Sequence, residues 1–133
     1  MASPAFICRM QKFTNVRAWV TAKDFFVDVY HTTKHFPAEE RYGFQSQMRR
    51  AARSICANIA EGCGYSGGRD SLRFHRMGFG SSSECYSDLY LAREVELLSR
   101  EDFDRLEGKL VPARQQLSRF MQAIERRVES GQA

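Results

Sequence analysis

The chain has 133 residues, 43% of them hydrophobic and 27% charged, with a formal net charge of +4 and four cysteines. That length suits a single domain able to bury a core without disulfides or metal, and no run of about 18 apolar residues offers a membrane span. The amino terminus, MASPAFICRMQKF, has no apolar core of signal-peptide length, so a cytoplasmic protein with no membrane partner is expected.

Residues 1–13 read as an N-terminal arm. A first helix is expected to begin near Thr14 or Asn15, either of which can cap it, and to run through Trp19, Phe26, Val27 and Tyr30. It must stop before Phe36-Pro37, because the residue preceding a proline disfavours helical geometry. PAEERYG is a connector with Gly43 at its turn. The second helix carries Phe44, Met48, Ala51, Ala52, Ile55 and Ile59 at the spacing of one buried stripe and ends at Gly62, where GCGYSGG makes a loop.

Asp70 or Ser71 can cap a third helix reaching about Leu98. Leu72, Phe79, Tyr86, Tyr90 and Leu97 form one of its stripes; Phe74, Met77, Ser81, Cys85, Ala92 and Val95 form a second, nearly opposite. A helix with two such faces needs cover on both, so the second face, Ala92 included, is expected to meet another copy of the chain. The fourth helix opens at Ser99, with Asp102 as reciprocal cap, and continues through Phe103, Leu106, Leu110, Leu117, Phe120, Ile124 and Val128. Pro112 removes a backbone donor inside it and predicts a kink between Gly108 and Pro112. Residues 129–133 form a flexible tail. The pattern is all-α: one four-helix bundle over residues 14–128.

Asn58, Glu61, Ser81 and Glu84 sit in helices otherwise built from small and apolar residues. Two carboxylates with no nucleophile or second titrating partner are a weak catalytic signal, so these four are read as a polar network that fixes the register of helices two and three. No enzymatic role is expected. GCGYSGGRD lacks the lysine and the preceding strand of a phosphate-binding loop and reads as a hinge. His31 and His35 are four apart but have no third ligand, His75 stands alone, and the cysteines (8, 56, 63 and 85) show no metal-ligand spacing. They are taken as packed thiols, and neither metal nor cofactor is expected.

Charge is concentrated between residues 41 and 76, where Arg41, Arg49, Arg50, Arg53, Arg69, Arg73 and Arg76 face only Glu61 and Asp70. Arg49, Arg50 and Arg53 on helix two and the ladder of Arg69, Arg73 and Arg76 on helix three, repeated around an oligomer, suit a phosphate backbone. No base-reading motif accompanies them, so contact with RNA or DNA would carry little sequence specificity.

VYHTTKHFPAEERYGFQSQMRRAARSICANIAEGCG, followed by RFHRMGFGSSSECYSDLYLA, resembles the bacterial 23S ribosomal RNA intervening-sequence proteins. That group is similar to the accessory variability protein of diversity-generating retroelements. The pieces that carry the likeness are Val29-Tyr30, Phe36-Pro37, Gln47 with Arg49-Arg50, Ser54-Ile55, NIAEG from 58 to 62, and a Gly-Ser pair with Glu84. The resemblance implies an up-down four-helix bundle assembling into a barrel-like homopentamer. For the retroelement relatives it also implies nucleic-acid binding through a basic surface and partnership with a reverse transcriptase. Lys23, Arg49, Arg50 and Arg53 are placed on that surface by position. The function expected is thus a non-enzymatic oligomeric scaffold that binds nucleic acid through its arginines. The alternative is a protein–protein adaptor with no nucleic-acid role.

Overall fold

In the computed structural model, which describes residues 12–131, four α-helices carry the chain: α1 (Arg17–Thr33), α2 (Ser46–Cys63), α3 (Gly68–Glu94) and α4 (Arg100–Glu129). No strand occurs among the described residues. Each helix packs on its neighbours in the chain, and α4 closes the ring against α1, which is the arrangement of an up-down bundle. The expected N-terminal arm and the last two residues of the expected tail lie largely outside the described residues, as does Cys8.

Helix termini follow local chemistry with several departures from expectation. Ser99 caps α4 by accepting from the Asp102 amide at 3.0 Å. Neither Thr14 nor Asn15 caps α1. They belong to a short 3-10 turn, Phe13–Asn15, and α1 follows Val16 with no side-chain cap. The third helix starts earlier than expected, after Gly67, which leaves Asp70 in the first turn, where its charge favours the helix dipole, and buries Ser71. It also ends earlier, at Glu94, and Glu96 then takes a left-handed φ of 63°, rare for a side chain other than glycine. Pro112 lies inside a helix that runs without interruption.

The core joins Phe25 and Val29 of α1, the Met48/Ala51/Ala52/Ile55/Ile59 stripe of α2, and Leu106, Leu110, Ala113 and Leu117 of α4. The face of α3 that meets them is neither of the two expected stripes. It takes Leu72 from the first stripe and Cys85 and Ala92 from the second, and joins to them Ser71, His75, Gly78, Ser82 and Leu89, which belonged to neither. Small residues win this face because the backbones of α2 and α3 come so close. A Cβ on Gly78 would sit 3.3 Å from Asn58 Cβ, and one on Gly62 would sit 2.8 Å from the His75 ring. Ala92, expected at a contact with another copy, is fully buried inside its own chain. Met77, Tyr90 and Leu91 of α3, and Val95 just past its end, are large apolar side chains left half exposed.

A second joint links α1 to α4. Asp28 accepts from Arg105 Nε at 3.0 Å and lies 2.9 Å from Lys109 Nζ, while Arg105 also reaches Asp102 and the Thr32 hydroxyl. Burial would raise the Asp28 carboxyl, but hydrogen bonds from Arg105 and Lys109 outweigh it and hold the group below the usual carboxylate range. Cys56 and Cys85 are free thiols pushed up by burial, Cys56 to about 11. Cys63, expected to be a packed thiol, is disulfide-bonded.

Candidate nucleic-acid interface

The last two turns of α1 and the first turns of α2 border a groove of about 560 Å³, into which Arg41, Arg49, Arg50 and Arg53 converge beside Phe26 and Tyr30. Its position follows from the connector. Pro37 ends α1, a 3-10 turn (Ala38–Glu40) leads into a wide turn at Arg41–Gln45, and Glu40 accepts from the Phe44 amide at 3.3 Å. The turn brings Arg41 alongside the helix that carries the other three arginines. No carboxylate is among the described residues that line the groove.

The four arginines are held differently. Arg49 is half-buried: Nε donates to Thr33 Oγ1 at 2.8 Å, Nη2 donates to the Tyr30 carbonyl at 3.0 Å, and the guanidinium lies 4.1 Å from the Tyr30 ring centroid. These partners are neutral, so the charge of Arg49 is positioned and left uncompensated. Arg50 is neutralised by Glu84 of α3 and braced by Gln47. Arg53 and Arg41 are exposed and have no ion-pair partner among the described residues.

Arg69, Arg73 and Arg76 form a separate group. Arg50 pairs with Glu84 and Ser54 with Ser81, which sets the register of α2 against α3. Arg73 is eleven residues from Glu84, hence about 16 Å away along the helix axis. Within one chain the seven arginines therefore make two patches and not one strip. Arg76 is paired with Glu125 at 3.2 Å, Arg73 lies over the Phe74 ring, and Arg69 borders a groove that also holds Glu125 and Glu129. Lys23 is elsewhere again, lining a groove between α1 and α4 and lying 3.2 Å from Asp24.

Of the expected polar network, the structure brings together Asn58 and Ser81, through Ser54. The Asn58 amide donates to Ser54 Oγ at 3.1 Å, and Ser54 Oγ and Ser81 Oγ are 2.8 Å apart. Glu84 stands at its rim on Arg50. Glu61 is exposed toward the far end of α2 and takes no part. Among the described residues no three His, Cys, Asp or Glu side chains group as a metal site, and no helix is long and apolar enough to cross a membrane.

Sequence reasoning left two participants out of the site. Arg41 sits in the connector, and its only signal was its place at the head of the arginine-rich segment. Tyr30 was read only as a position along the first helix, yet it is half exposed there and supports both Arg49 and Lys34.

The profile of the 23S rRNA-intervening sequence protein family matches residues 14–119, which span α1 to α3 and most of α4. Among solved structures, the chain is similar to a protein with unknown function from the S23 ribosomal protein family of Bacteroides thetaiotaomicron VPI-5482. The TM-score is 0.70 at 18% identity, over 78% of this chain and 97% of that one. At that identity the likeness concerns the fold. No curated protein matches the sequence.

Proposed function

The chain belongs to the 23S rRNA-intervening sequence protein family, and on that premise we propose that it is a non-enzymatic scaffold that binds RNA or DNA electrostatically, with the α1/α2 groove as its principal contact. The observation that carries this reading is the uncompensated charge of Arg41, Arg49 and Arg53 around one concavity free of lining carboxylates. A phosphate backbone supplies the missing anions and releases counterions as it binds. Tyr30 and Phe26 add apolar floor at the same place. Arg69 and Arg73 serve as a secondary patch; Arg50 and Arg76 act first as joints between helices.

Copies of the chain assemble as a homopentamer in this proposal, and the support is the apolar surface left at the end of α3 by Tyr90, Leu91 and Val95. A ring would repeat the arginine groove several times and raise the avidity for a long polyanion. The same apolar surface also favours a second reading, an adaptor that docks a different protein there.

The test is a binding assay with fluorescently labelled mixed-sequence RNA and DNA at near-physiological salt. Arg41→Glu combined with Arg53→Glu should weaken binding by about 100-fold or more, as two contacts worth roughly 1–2 kcal/mol each are lost and reversed. Arg69→Glu with Arg73→Glu should have the smaller effect. Unchanged affinity in the first double variant removes the groove from the function. A preference for one sequence over scrambled controls would contradict backbone recognition.

A further inference from the structure

We infer that the groove between α3 and α4 around Arg114 and Arg119 is a second, separate binding site, built for a phosphate ester of the nucleotide class. It measures about 530 Å³ and lies across the bundle from the α1/α2 groove. Phe79 and Tyr86 form its α3 wall; Gln115, Ser118 and Gln122 accompany the two arginines on α4.

Arg114 is the reason for the assignment. Its guanidinium lies 4.9 Å from the Phe79 ring centroid and 5.3 Å from that of Tyr86, Nε donates to Ser82 Oγ at 3.1 Å, and Nη2 donates to Ser83 Oγ at 3.0 Å. Four contacts of this kind would be ordinary if a carboxylate completed them, as Asp28 and Asp102 do for Arg105, Glu84 for Arg50 and Glu125 for Arg76. Among the described residues none does so for Arg114 or Arg119. Glu107, on the same helix, is instead taken up by the Tyr86 hydroxyl at 2.8 Å. A half-buried guanidinium held only by rings and hydroxyls keeps its full charge, and of its five N–H donors the two serines use two, leaving three.

The remaining chemistry narrows the anion. A planar fork with free donors matches two oxygens of a phosphate, and Arg119 supplies the second charge that a phosphomonoester or a pair of phosphodiesters requires. Aromatic wall and side-chain amides favour an ester whose organic part can lie flat and offer hydrogen-bonding edges, and the volume is that of a small-ligand cleft. Such a phosphate ester has two sources, a free nucleotide or a stretch of polynucleotide.

Protein-detected NMR of the full chain, following the arginine Nε–H and glutamine amide signals, distinguishes them with three probes: inorganic phosphate, adenosine monophosphate and a short oligothymidylate. Saturable shifts at Arg114, Arg119 and Gln122 are expected, with the monophosphate binding about tenfold more tightly than inorganic phosphate if the source is a free nucleotide, or with only the oligonucleotide saturating if it is a polynucleotide. Arg119→Glu, at an exposed position, should weaken binding by about tenfold or more at unchanged thermal stability, and Arg114→Lys, which keeps the charge and loses the fork, should weaken it at least as much. The same shifts should persist in Arg41→Glu/Arg53→Glu, so the two grooves fail or succeed separately. Absence of saturable shifts with all three probes, equal affinity in both α4 variants, or loss of the shifts in the α1/α2 variant would each overturn the assignment.

Discussion

His75 gives the fold an acid limit whose size can be worked out. It lies fully buried in α3, edge-on to Phe120 at 4.9 Å between ring centroids, and neither ring nitrogen has a hydrogen-bond partner among the described residues. Gly62 approaches it from α2 so closely that even a methyl group there would contact the ring. Burial lowers its pKa from 6.5 to about 4, so the native protein holds it neutral while the unfolded chain takes up a proton below pH 6.5. The unfolded state thus binds more protons between those values, and stability falls as pH drops through that window. With about 1.4 kcal/mol per pH unit, the loss comes to roughly 3 kcal/mol, a large part of the 5–15 kcal/mol that holds a domain together. Urea unfolding followed by circular dichroism at half-unit steps from pH 7 to pH 4, in the native chain and in His75→Leu, isolates the effect. The native chain should lose those 3 kcal/mol relative to the variant as pH falls. Parallel curves for the two proteins would refute the reasoning, because the lost stability would then belong to other groups.

Glycine substitutions test the close approach of α2 and α3. Gly62→Ala, whose Cβ would meet the His75 ring at 2.8 Å and the Ser71 carbonyl at 3.0 Å, should cost about 1–3 kcal/mol, whereas Gly80→Ala, which meets nothing within 4 Å, should stabilise the exposed helix by about 0.5–1 kcal/mol in the same urea assay. Equal effects at the two sites would mean that the helices do not pack as described. For assembly, Leu91→Glu with Val95→Glu removes apolar surface worth about 1.5–3 kcal/mol per side chain at each buried contact. If copies join through that surface as proposed, native mass measurement should then find single chains where the native protein forms an oligomer, and an unchanged assembly would place the subunit contact elsewhere.

What could be read in the sequence was whatever depended on local periodicity. The α2 stripe of Met48, Ala51, Ala52, Ile55 and Ile59 is buried as its spacing implies, and the cap at Ser99 needed only four consecutive positions to recognise. α3 defeated that logic because hydrophobicity was a poor guide to its core face. Where two backbones nearly touch, Gly78, Ser82 and Cys85 fit, while Met77 and Tyr90, larger and greasier, are displaced to the flanks. The candidate site was legible as a density of arginines and illegible as geometry. Nothing local tells that Arg49 would rest on Tyr30, that Arg50 would find Glu84 34 residues away, or that Arg114 would thread between Phe79 and Tyr86. Pairings of that range exist only once the register of the bundle is set.

If the cations gathered at the α1/α2 groove bind a phosphate backbone, as proposed, the salt dependence of affinity reports it. Across a series of monovalent salt concentrations, log affinity for labelled RNA should fall linearly with log salt for the native chain. For Arg41→Glu/Arg53→Glu the slope should flatten by about one for each phosphate contact removed. An affinity indifferent to salt, or a slope identical in the two proteins, would mean that the groove does not hold the phosphate backbone.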